Sequence, residues 1–223
     1  MSAEPALSEG TGTPDKPSMR GLLHLLAFLF SIPAGILLVA SAETTTARVA
    51  TAIYAVSLAG LFGASAAYHT LPWTETGRVR MKRLDHSMIY VLIAGTYTPF
   101  ALLVVEGPWG VGMLVVVWFG ATVGITLKLV RIDGFRAITG TLYIVLGWIA
   151  ILALPGMIRD LSVFELLLVF LGAASYTLGS IVLLRRRPDP RPKTFGYHEV
   201  WHTAVIAACA CFYAVTFSVV SNP

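Results

Sequence analysis

Charge is what this chain lacks. Asp, Glu, Lys and Arg make up 13% of its 223 residues, against roughly 25% in an average soluble domain. Hydrophobic residues make up 56%, more than a water-soluble core of this size can bury. A soluble globular protein is therefore excluded, and the class is integral membrane protein. Cysteine is nearly absent, with Cys209 and Cys211 the two examples. Two apart on a helix, they point to different faces and form no disulfide with each other. They read as small packing residues and say nothing about redox compartment. No internal repeat is visible. Histidine is scarce as well, with five in the chain, and a histidine in a membrane span is costly enough to be a functional hypothesis by default.

The net charge of +4 does not point to nucleic acid, because the basic residues lie in short loops between apolar runs. Residues 1–19 are polar and contain Pro, Gly, Ser and Thr, which predicts a disordered cytoplasmic tail. Residues 20–223 read as one domain. Seven apolar stretches follow, at about 22–41, 48–70, 85–105, 110–129, 136–157, 162–184 and 197–219. Each has roughly the 20 residues a helix needs to cross a bilayer. Ala40-Ser41-Ala42 resembles a signal-peptide cleavage site, but the apolar region and its leader are too long and the leader too acidic, so the first stretch reads as an uncleaved span. The fold expected is all-α, a bundle of seven transmembrane helices.

Loop charge predicts its direction. Fourteen of the 16 Lys and Arg residues fall on one side, including Arg78, Arg80, Lys82, Arg83 and the cluster from Arg185 to Lys193. Only Arg48 and Arg159 fall on the other. The positive-inside rule then puts the N-terminus in the cytoplasm and the C-terminus outside, opposite to a G-protein-coupled receptor. Pro33 and Pro99 read as kinks or packing features. Gly60, Gly63, Gly120, Gly124, Gly140, Gly172 and Gly179 read as close helix–helix contacts, and Trp73, Trp109 and Trp201 as interfacial belts.

The motif that stands out is His198-Glu199-Val200-Trp201-His202. On a helix, residues four apart share a face, so both imidazoles can aim at one atom. In the expected topology His69, Asp85 and His86 lie at the same cytoplasmic depth, on the second and third spans. His69, His198 and His202 supply three neutral imidazoles, and three histidines with one open position are a catalytic zinc arrangement. The alternative is a set of interfacial histidines. Ser65, one turn deeper than His69, either helps hold a metal-bound water or bonds its own helix. Asp85 reads as opening the third helix. It either holds that water and takes its proton or forms a salt bridge with the basic residues before it. Glu199 completes the formal His-Glu-x-x-His protease signature, but a first-turn carboxylate is also favoured by the helix dipole. His86 points about 100° away from Asp85 on a helix and is not assigned as a ligand. His24 is expected to be interfacial.

Three segments together carry a resemblance: Ser65-Ala-Ala-Tyr-His69, Arg83-Leu-Asp85-His86-Ser87 with Gly95-Thr-Tyr-Thr-Pro99-Phe100, and His198-Glu-Val-Trp-His202. They resemble the hemolysin III branch of the progestin and adipoQ receptor family, which includes the adiponectin receptors. The wider membrane hydrolase group also contains alkaline ceramidases. The resemblance implies seven helices, an intracellular N-terminus and a Zn²⁺ ion on the cytoplasmic side. His69, His198 and His202 would be its ligands, with Ser65 and Asp85 holding the water. Glu199 is outside the pattern shared with the receptors. The animal receptors' long N-terminal extension is missing, so no protein hormone is implied.

The function expected is a zinc-dependent lipid amide hydrolase of the cell inner membrane, tied to lipid homeostasis, with membrane lipids as substrates and no nucleic-acid partner. The alternatives are a non-catalytic lipid or membrane-state sensor with a structural zinc, a hemolysin-type cytolysin, and an intramembrane protease using Glu199. Seven buried helices without a secretion signal argue against the cytolysin.

Overall fold

The computed structural model describes residues 17–222 apart from 106 and 133, with the side chains of residues 136 and 137 also left aside. The helices are α1 (Leu22–Ala40), α2 (Thr45–Thr70), α3 (Glu75–Leu103), α4 (Gly107–Val130), α5 (Arg136–Trp148), α6 (Leu154–Asp160), α7 (Val163–Arg185) and α8 (Tyr197–Ser221). A 3₁₀ segment, Ile149–Ala153, joins α5 to α6. Seven spans are long and apolar enough to cross a membrane, the fifth being composite. No strand occurs among the described residues.

The apolar side chains sort by neighbour. Phe30 is 74% exposed and Leu184 85%. A surface of that kind would drive aggregation in water; in a bilayer it is the lipid face. The second and third spans are the inner ones, with 50% and 56% of their apolar windows buried against 11% for α7. Helix α3 packs on α2 and α4, α1 on α2, and α7 on α8, while α8 also touches α1, α2 and α3. Thus α1, α2, α3 and α8 meet, and the first apolar stretch is an integral part of the bundle.

Small residues set these approaches. A Cβ on Gly95 would lie 2.2 Å from Ser57 Oγ, and one on Gly124 2.3 Å from the Tyr90 ring. Gly60, Gly63, Gly120, Gly172 and Gly179 are close contacts as expected, but Gly140 faces open space, with nothing within 4 Å. Composition alone does not distinguish a glycine under a neighbouring helix from one facing outward. Pro33 and Pro99 lie inside unbroken helical runs. Trp73 and Trp109 donate their indole N–H to the carbonyls of Ala67 and Leu152, whereas Trp201 packs against Gly179.

Three expectations need correction. Helix α3 begins at Glu75, ten residues before the apolar run, because Thr74 caps it by accepting from Gly77 N–H and Glu75 occupies its first turn. A capped polar start extends a helix beyond what hydropathy reveals. Asp85 therefore does not open the helix; it lies almost three turns in, about 15 Å along. The fifth span is broken, since Pro155 stands at the start of α6 and cannot donate a backbone hydrogen bond. Tyr97 repairs the break: its hydroxyl donates to Gly147 O and accepts from Ala150 N–H. Finally, residues 1–16 of the expected tail lie outside the described residues, but the last part is ordered. Ser18 and Met19 N–H donate to Lys193 O and Thr194 O at 3.0 and 3.2 Å.

Candidate metal centre

Helix periodicity and packing bring the histidines together. His69 ends α2, while His198 and His202 occupy the first two turns of α8. One nitrogen from each falls within 4.8 Å of the others. The Nε2 atoms of His69 and His198 are 3.3 Å apart. Two nitrogens bound at about 2.0–2.1 Å to one tetrahedral ion lie about 3.3 Å apart, so this separation fits a shared ion. The three rings are mutually inclined, by 72° for His69–His198, 60° for His69–His202 and 63° for His198–His202. Inclined rings converge on a point without stacking on one another. The donor set and its spacing therefore fit a metal ion held between α2 and α8.

Asp85 and Ser65 meet at the same place. The Ser65 side chain lies close enough to the Asp85 carboxylate to interact with it, so α2 and α3 bring these two groups together. A cavity of about 270 Å³ is lined by Arg20, Tyr68, His69, Arg78, Asp85, His86 and His198. Asp85 and two of the three histidines thus line one cavity, with room for a small polar group. Arg78 is exposed and leans over the Tyr68 ring, its Cζ 6.0 Å from the centroid. His86 also borders the cavity. Its Nδ1 lies 2.9 Å from Lys82 O and 3.6 Å from Asp85 Oδ2.

Glu199, the central carboxylate of the His-Glu-x-x-His run, has another job. It is fully buried, accepts from Gly196 N–H at 2.8 Å and pairs with Arg20 Nε. It caps α8 and fastens the segment before α1 to it, and it does not line the cavity. That segment turns at Gly21, whose φ of +85° is readily available only to glycine. A Cβ there would lie 2.7 Å from the Cβ of His69, so the turn passes directly over a candidate ligand.

His24 was expected at the interface, and the fold puts it elsewhere. It is 3% exposed and stacked on His202, with ring centroids 3.7 Å apart and planes 10° from parallel. The signal available in the sequence was its position. It begins the first span at the same end as the other four histidines, but nothing in its spacing relates it to α8.

Comparison with known proteins gives the family. The model for haemolysin-III-related proteins matches residues 13–213. The chain is 34% identical to a hemolysin-3 homolog of Bacillus subtilis (strain 168) over 206 residues, covering 91% of this chain and 93% of the relative. It is 33% identical to hemolysin-3 of Bacillus cereus over 202 residues, covering 89% of each. Seven spans, a lipid-facing exterior and these relatives together make the chain a multi-pass cell-membrane protein of the haemolysin-III-related family.

Proposed function

We propose that this protein is a zinc-dependent membrane hydrolase that cleaves an amide-linked lipid, with its site at the cytoplasmic face. The observation that carries the proposal is the shared cavity, which Asp85 lines together with His69 and His198. A purely structural clamp has no use for a carboxylate facing an open volume. Loop charge supports an N-terminus in the cytoplasm, and the histidine layer then lies near the inner headgroup boundary.

Zinc, when bound by His69, His198 and His202, supplies Lewis acidity toward a carbonyl and acidifies water. The chain's own residues do the rest. Asp85 accepts a proton from the attacking water, and the Ser65 hydroxyl fixes the carboxylate for that transfer. After cleavage the Asp85 carboxyl returns the proton to the leaving amine. Arg78 at the cavity border favours a lipid with an anionic headgroup. The outcome for the cell would be a change in membrane lipid composition, which is how a role in lipid homeostasis would arise.

The test is hydrolysis of defined amide lipids by zinc-loaded protein in detergent, wild type against Asp85→Asn. Turnover in wild type, lost with Asp85→Asn while metal is retained, supports the proposal. The second reading, a non-catalytic sensor, is favoured by one feature: an ion on these histidines joins α2 to α8. It predicts stability that depends on metal with no turnover on any lipid. Lysis of cells by added purified protein would instead support the cytolysin reading.

A further inference from the structure

We infer that His24 is a positioning residue of the three-histidine site, holding the His202 imidazole by its ring face; this rests on the reading of that site as a metal centre. A ligating histidine ordinarily donates its second ring N–H to a carboxylate, a carbonyl or water, and that bond fixes the ring's rotation. For His202 the described residues offer its buried Nδ1 no such partner. A ring packed on its face can restrain the rotation in the same way.

The stack does so. His24 covers one face of His202 at 3.7 Å and 10°. His24 is in turn held by Phe62, whose ring meets it edge-on at 5.2 Å and 63°. On the remaining sides His69 and His198 cross His202 at 60° and 63°. A rotation of His202 about its Cβ–Cγ bond would drive its edge into the His24 face.

His24 is not a fourth ligand in this arrangement. A metal ion sits close to the plane of each imidazole that binds it, at about 2.0–2.1 Å from the nitrogen. The planes of His24 and His202 are nearly parallel and stacked, so an ion in the plane of His202 lies well outside the plane of His24. Neither His24 nitrogen makes a hydrogen bond of good geometry among the described residues. Burying such a ring is unfavourable by itself. It is offset when the partner ring ligates a cation, because an electron-poor imidazolyl is attracted to an electron-rich aromatic face. The same contact brings α1 into a site whose ligands come from α2 and α8.

The experiment is zinc affinity by competition with a chromophoric chelator, on the full chain in detergent, for wild type, His24→Phe and His24→Leu. Both variants fill the space and both remove the unpartnered nitrogens; only Phe keeps an aromatic face. Leu is expected to weaken zinc binding about tenfold or more, the range for losing an outer-shell partner. Phe is expected to restore most of it. The visible spectrum of bound Co²⁺ should match wild type for Phe and change for Leu. Melting of each variant in chelator, without metal, checks the fold, and His24→Met replaces Leu if Leu does not fold. Leu binding zinc like wild type, or Phe binding as weakly as Leu, would overturn the inference. Absence of zinc binding in wild type would instead overturn the metal centre itself.

Discussion

Arg20 and Glu199 are 179 residues apart and form an ion pair in which the guanidinium Nε donates to a carboxylate with no solvent exposure. This contact ties the segment before α1 to the first turn of α8, directly beside His198. It also removes Glu199 from the list of catalytic bases, since the carboxylate is held by Arg20 and the Gly196 amide.

Removing Arg20 leaves that carboxylate buried without its counter-charge. Breaking one side of a buried pair costs about 3–5 kcal/mol. Arg20→Gln is expected to lower unfolding stability in detergent by an amount of that order, and Arg20→Gln with Glu199→Gln to recover much of it. Strictly additive losses in the double variant would show that the two side chains are not coupled. Glu199→Gln alone should leave metal stoichiometry unchanged, whereas an intramembrane protease using Glu199 would lose its activity.

Asp85→Asn keeps the three imidazoles and removes the proton acceptor. Metal content should stay at the wild-type level, and the rate on any lipid that proves to be a substrate should fall by about 10² or more. Ser65→Ala should give a smaller fall in rate, because the carboxylate remains and only its orientation loosens. Loss of metal in Asp85→Asn would mean that the carboxylate is itself a ligand.

Two glycines that look alike in the sequence should behave differently. A Cβ on Gly110 would lie 2.2 Å from the backbone carbonyl oxygen of Ala101, which cannot turn aside as a side chain can. Gly110→Ala is expected to destabilise by about 1–3 kcal/mol. Gly140 faces open space, and Gly140→Ala should be neutral or stabilise by up to about 1 kcal/mol. Thermal unfolding of both variants in one detergent makes the comparison.

The direction of the chain rests on loop charge. A reporter active only in the cytoplasm should work when fused to the N-terminus and fail on the C-terminus. The reverse pattern would move the histidine layer to the opposite face and remove inner-leaflet lipids as substrates.

Much of this was legible in the sequence, for identifiable reasons. Seven spans follow from length and hydropathy, and the four-residue spacing of His198 and His202 follows from the helical repeat. His69 could be joined to them because topology and loop charge gave a common end to separate helices. The start of α3 was not legible, since its first turns are polar and only the Thr74 cap marks them. The break at Ile149–Ala153 was hidden by uniform apolarity around Pro155. His24 and Arg20 escaped because their partners are on α8, far along the chain. A long-range stack or ion pair leaves no periodic trace.

The central claim is that His69, His198 and His202 hold one metal ion. The direct measurement is metal content per chain of protein purified in mild detergent, then offered zinc and freed of excess, for wild type and His202→Ala. The account predicts about one zinc per wild-type chain and its loss in His202→Ala. No stoichiometric metal in wild type, even after zinc is offered, would contradict it and leave the three rings as a packed cluster between α2 and α8 with one contact of hydrogen-bond length, His69 to His198.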